Sequence, residues 1–131
     1  NRSSCEEEAR LREDRKIPHG DAARLAREGL DAVRLPDDFP SRVYITFDLD
    51  GLDPSVIPAT GTPVPGGLLW HDALRLLERI IQSRVCIGFD VVELAPIEHL
   101  HYPNFAAAQL TYNIMGLISR SDVNRRFYHL K

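Results

Sequence analysis

The sequence predicts an α/β fold built on a parallel sheet covered on both faces. Three observations carry this. Two apolar runs rich in β-branched residues, 43–47 and 84–92, read as strands. A helix-spaced segment, 71–82, lies between them, the pattern of a β-α-β unit. The second run is apolar on both faces, as a central parallel strand is.

The elements follow in order. Residues 5–15 alternate acidic and basic side chains and read as an exposed helix, capped by Ser3 or Ser4 with Glu6 or Glu7 in the capping-box position. Pro18 and Gly20 punctuate. Residues 21–33 place Ala22, Leu25, Ala26, Gly29, Leu30 and Val33 on one helical stripe. A loop over 35–41 leads into the first strand. The next twenty residues are a loop dense in Pro, Gly and Thr, long enough that function is its default reading. The helix over 71–82 carries Ala73, Leu74, Leu76, Leu77, Ile80 and Ile81 mostly on one side. After the second strand, 96–103 is a loop, and Asn104 caps an apolar helix over 105–118. The polar tail, 119–131, carries only a weak helical or strand signal.

Composition narrows the function classes. The chain has 131 residues, room for one domain at most, with 44% hydrophobic and 27% charged residues, as in a soluble globular protein. Net charge is -3, and no basic patch of the kind nucleic acid requires is visible. No run is long and apolar enough to span a bilayer, and no signal peptide is recognisable, so a cytoplasmic protein is expected. Cys5 and Cys86 are far apart, and Cys86 reads as a small buried hydrophobe in a strand.

The chemistry concentrates in the run FDLDGLDPSVIPATGTPVPGG, residues 47–67. Alternation along an extended strand would point Asp48 and Asp50 the same way, with Cα atoms about 6.6 Å apart. Two such like charges repel, and no Lys or Arg follows through Trp70. A hard divalent cation with oxygen ligands relieves them. A second acidic strand end, Asp90 and Glu93, falls at the same carboxyl rim, where ligands of parallel sheets collect. Glu93 could be a further ligand, a general base or a clamp for a cationic substrate, and Asp90 could support the site from behind. The prolines stiffen the loop, and Thr60 and Thr62 place hydroxyls beside the carboxylates. The pair His99 and His101 has ligand-like spacing but reads as a solvated loop pair.

These two runs, FDLDGLDPSVIPATGTPVPGG and, one helix later, GFDVVELAP, resemble the second half of a ureohydrolase, the group of arginase, agmatinase and their relatives. The resemblance covers the chain from Asn1 to about Ile118. It implies a three-layer α/β/α sandwich with a parallel sheet, of the arginase/deacetylase kind, of which residues 1–131 are the C-terminal part of a single domain. It implies two Mn2+ ions, with Asp48 shared between them and Asp50 a ligand of one. Glu93 takes the place of the carboxylate that grips the substrate guanidinium, and Thr62 lies beside that grip. The implied reaction is hydrolysis of a guanidino compound, agmatine foremost, to urea and an amine, by water activated between two cations. Ala95-Pro96 stands where arginases usually have Asn-Pro, so the resemblance is to agmatinases more than to arginases or other guanidino-acid hydrolases. A homo-oligomer, trimer or hexamer, is implied for the complete protein.

Two departures shape the expectation. The family's other metal ligands come from a G-G-D-H run and a D-A-H-x-D run, neither of which occurs here. The chain is therefore expected to be a non-catalytic or nearly inactive piece without that half, exposing a bare sheet edge. Strand-then-D-x-D-G also resembles the first motif of haloacid-dehalogenase-type phosphatases, with Asp48 as nucleophile and Asp50 as acid/base. Leu52 stands where those motifs carry Thr, and the threonine-rich loop has no role there.

Overall fold

The computed structural model describes residues 5–130. The chain divides into two compact units, Asn1–Phe39 and Pro40–Lys131.

In the first unit, α1 spans Glu6–Asp14 and buries no residue. Glu6, Glu7 and Glu8 occupy its first turn and Arg12 its last, complementing the helix dipole. Ser3 and Ser4 lie outside the described residues. The N-cap is Cys5, whose N–H is held by the Glu8 carboxylate at 3.1 Å, so the capping glutamate sits later than the sequence predicts. The second helix, α2, spans only Ala22–Glu28. The predicted stripe runs on to Val33, but Gly29 takes a φ of +76° and ends the helix, and a single 3-10 turn follows at Leu30–Ala32.

The second unit holds β1 (Arg42–Asp48), α3 (Trp70–Ser83), β2 (Val85–Val92), α4 (Tyr102–Arg120) and α5 (Asp122–Tyr128). The strands pair in parallel, from Arg42 against Val85 to Asp48 against Val92, so both carboxyl ends reach one rim. A bulge after Val43 leaves Ile87 without a partner on β1. Ile45 is buried and Val43 and Phe47 pack on the core, while Tyr44, Thr46 and Asp48 point to the other, exposed face. The α/β class with a parallel sheet is as predicted. Among the described residues of this unit α3, α4 and α5 pack on one another and on β2, and Tyr44 on the opposite face is 58% exposed.

The core is built by period. From α3 come Ala73, Leu77 and Ile81, four residues apart; from α4 come Ala106, Ala107, Leu110 and Ile114. Each fully buried Leu or Ile contributes roughly 1.5–3 kcal/mol. Cys86 is buried among them, which pushes its thiol pKa up. Asn104 is not the cap of α4. His101 is, because Pro103 has no N–H to leave unpaired in the first turn and a φ already suited to it.

The tail is a helix because its polar groups serve the interior. Asn124, fully buried, accepts from Cys86 N–H (2.8 Å) and donates to the carbonyls of Ile81 (2.8 Å) and Arg84 (3.1 Å). The Ser121 hydroxyl also donates to Ile81 (2.8 Å), and Tyr128 donates to the Cys86 carbonyl (2.7 Å). α5 therefore caps the end of α3 and the start of β2.

Candidate functional site

β1 ends at Asp48, and the chain turns at once into a 3-10 helix, Leu49–Gly51. The turn forms because Asp48 Oδ1 accepts the N–H of Asp50 at 2.8 Å, while the buried Leu49 anchors the turn in the core. This corrects the extended-strand geometry expected for the D-x-D pair. The two carboxylates are neighbours through a side-chain-to-backbone hydrogen bond, not through strand alternation. Asp48 is exposed, and its Oδ2 accepts nothing from the described residues.

The loop that follows is closed at its base. Leu68 N–H donates to the Gly51 carbonyl and Asp53 N–H to the Leu68 carbonyl, both at 2.9 Å. A Cβ at Gly67 would come within 2.4 Å of the Leu52 carbonyl carbon, so the two ends of the loop meet only because residue 67 is glycine. Asp53 opens a turn, as its Asp-Pro sequence predicts. Its carboxylate takes the Ser55 hydroxyl (2.6 Å), the Ser55 N–H (3.0 Å) and the Gly66 N–H (2.9 Å). The Ser55 hydroxyl and these backbone donors pull its pKa down to about 2.

The closed base carries the threonines to the rim. Thr62 donates its hydroxyl to Asp50 Oδ2 at 2.5 Å and its N–H to Asp50 Oδ1 at 3.4 Å. The resemblance places Thr62 beside the Glu93 grip; the structure bonds its hydroxyl proton to Asp50. Thr60 is buried, with its hydroxyl unpartnered among the described residues. The neighbouring Ala59 carbonyl accepts the Ala95 N–H at 2.9 Å, tying this loop to the chain beyond β2.

At the end of β2, Glu93 stands one residue past the partner of Asp48, at a φ of +67°. For a non-glycine residue that backbone is strained, and such strain gathers where a side chain must be aimed. The Glu93 carboxylate is exposed and accepts no hydrogen bond from the described residues. Asp90 faces Thr46 across the sheet. Its two oxygens take the Thr46 hydroxyl (2.6 Å) and the Tyr44 hydroxyl (3.0 Å), and this donation to a carboxylate raises the Tyr44 pKa. The Tyr44 ring lies across Gly88, where a Cβ would meet it at 2.8 Å.

Asp48, Asp50 and Thr62 are thus one hydrogen-bonded knot, with Glu93 at the same rim and Asp90 one pleat below. His99 is exposed on a left-handed backbone beside Glu98, and His101 caps α4. Among the described residues no three His, Cys, Asp or Glu side chains gather as a metal site. The donor set fits part of a hard cation's shell: two carboxylates at one turn, Asp48 with an oxygen to spare. Sequence reasoning missed Tyr44 and Thr46 as the donors that hold Asp90. Strand alternation carried the signal, since 44, 46 and 48 share the face of 88, 90 and 92.

The fold and this rim define a parallel α/β protein with an acidic strand-end site. The family model described as "Arginase family" matches residues 1–116, and the chain belongs to that family. It is 41% identical over 108 residues to the N(1)-aminopropylagmatine ureohydrolase of Thermus thermophilus, covering 82% of this chain and 36% of that protein. It is 36% identical over 127 residues to the protein of the same name in Synechocystis, covering 92% of this chain and 40% of the other. The crystal structure of agmatine ureohydrolase of Thermoplasma volcanium superposes with a TM-score of 0.76 at 32% identity, covering 98% of this chain and 41% of that one. The chain therefore spans about two fifths of the length of these relatives. Membership of this family sets the phosphatase alternative aside.

Proposed function

We propose that residues 1–131 are the carboxyl-terminal part of a single amidinohydrolase domain, one that hydrolyses a guanidino compound to urea and an amine. The observation that carries this is the polarity of the rim. Asp48, Asp50 and Glu93 are carboxylates, which when ionised only accept hydrogen bonds. The Thr62 hydroxyl donates its one hydrogen bond to Asp50, so toward anything else it too is an acceptor. A surface of acceptors alone suits a cation that only donates, and a guanidinium has five donors and no acceptor.

In this reading Glu93 holds the guanidinium through paired, charge-assisted hydrogen bonds, and its strained backbone sets their direction. The Thr62 oxygen receives a further N–H. Asp48 and Asp50 would hold manganese, two ions in the complete protein, and that metal would supply a water acidic enough to ionise near neutrality. Asp90, fixed by Tyr44 and Thr46, stiffens the strand ends behind Asp48 and Glu93. The names of the relatives, which refer to agmatine and its aminopropyl derivative, support a guanidinoalkylamine over an amino acid as substrate. No described helix is long and apolar enough to cross a membrane. From the likeness to its family we propose that the complete protein is a cytoplasmic homo-oligomer, a trimer or hexamer.

The test is a division of labour in the complete protein. Asp48→Ala and Asp50→Ala should lose bound manganese and urea release together. Glu93→Ala should retain manganese, read by elemental analysis, and lose binding of the guanidino compound. Release of manganese by Glu93→Ala would show that its carboxylate serves the metal instead.

A further inference from the structure

We infer that Thr62 is a positioning residue for Asp50, so that a threonine in the loop controls the affinity of the rim for a divalent cation. This rests on the assignment of Asp48 and Asp50 to a cation.

Three observations lead here. Both oxygens of Asp50 are addressed by the same residue: the Thr62 hydroxyl reaches Oδ2 at 2.5 Å and the Thr62 N–H approaches Oδ1 at 3.4 Å. The hydroxyl contact has the length of a charge-assisted O–H···O⁻ bond, the stronger kind. The far end of the Asp50 turn is fixed independently, because the N–H of Asp50 is held by Asp48. An aspartate carboxylate otherwise rotates about two side-chain torsions. Here Thr62 restrains that rotation by meeting both carboxylate oxygens.

Thr62 itself is placed by structure distant from it in sequence. The loop is shut at its base by the Gly51, Asp53 and Leu68 bonds, made possible by Gly67. It is held near its tip by the Ala59 to Ala95 bond. Thr62 is therefore placed by bonds within the chain itself. A hydroxyl that orients a ligating carboxylate is the outer partner such sites need, and removal of such a partner typically weakens metal affinity about 10–100-fold.

Two roles for Thr62 make opposite predictions. As a substrate contact alone, its loss raises KM and leaves the cation in place. As the holder of Asp50, its loss weakens the cation first. Valine matches threonine in shape but has no hydroxyl, and serine keeps the hydroxyl. Thr62 is exposed, so neither change disturbs the core.

The experiment titrates Mn2+ into the chain and follows paramagnetic broadening of the backbone resonances of residues 48–62. The unsubstituted chain, Thr62→Val and Thr62→Ser are compared, and the titration is repeated with the remainder of the protein supplied. Thr62→Val should weaken the apparent affinity about tenfold or more, and Thr62→Ser should stay close to the unsubstituted chain. Equal affinity in Thr62→Val, with only KM for a guanidino compound raised in the complete protein, would overturn the inference and leave the proposed function standing. Weakened Mn2+ binding in Thr62→Val, with no urea release from the unsubstituted complete protein loaded with Mn2+, would support the inference and overturn the proposed function. Failure of the unsubstituted protein to bind Mn2+ in either form would overturn both.

Discussion

Asp53 separates two kinds of aspartate in one short run. Asp48, Asp50 and Asp53 all lie in FDLDGLDP, yet Asp53 spends its carboxylate on Ser55 and Gly66 inside its own loop. Its pKa of about 2 lies below the ordinary 3.8, so it contributes stability that is fully present above about pH 5 and lost as pH falls through 3.8 toward 2. Asp53→Asn cannot titrate. The difference in urea midpoint between it and the unsubstituted chain should be constant above about pH 5 and close between pH 4 and 2. A difference that persists unchanged at pH 2 would show that the loop does not depend on the charge. Residue types were legible at this scale: the acidic strand ends and the turn at Asp53-Pro54 were readable without coordinates. The partner of Thr62 was not, because the hydrogen bond to Asp50 spans a loop whose closure depends on Gly67 and Leu68.

At the scale of elements, both strands and the helix between them followed from periodicity, with boundaries moved by a residue or two. The failures were at ends. Gly29 cut α2 short, His101 displaced Asn104 as the cap of α4, and α5 had no pattern to announce it. α5 exists because Asn124 satisfies the Ile81 carbonyl of α3, the Arg84 carbonyl just past its end and the Cys86 N–H of β2, which only the fold brings together. Asn124→Ala strands the Cys86 N–H and the Arg84 carbonyl and should lower stability by about 1–3 kcal/mol in urea unfolding. A change within about 0.5 kcal/mol would place α5 outside the cooperative unit.

For the whole molecule, the exposed apolar surface is out of proportion to the core. Phe105 is 72% exposed and Tyr112 71%, on the helix whose other face carries Leu110 and Ile114. The described sheet has two strands and bare outer edges, whereas parallel sheets are normally covered. Both features agree with a chain that spans about two fifths of its relatives. The purified chain should therefore bind less than stoichiometric manganese and release no urea, and supplying the remainder of the protein should restore both. Stoichiometric manganese with full turnover by the chain alone would overturn the reading of 1–131 as part of a larger catalytic domain.

The sequence by itself determined the family, the parallel α/β class and which carboxylates stand at the strand ends. These are local properties: side-chain period, turn chemistry and a long specific motif. Only the tertiary structure decided how Asp50 is held, that Glu93 is strained and unpaired among the described residues, and that Tyr44 and Thr46 serve Asp90. Each of those depends on which backbone donors and hydroxyls arrive from residues 12 to 46 positions away, and sequence spacing carries no record of that meeting.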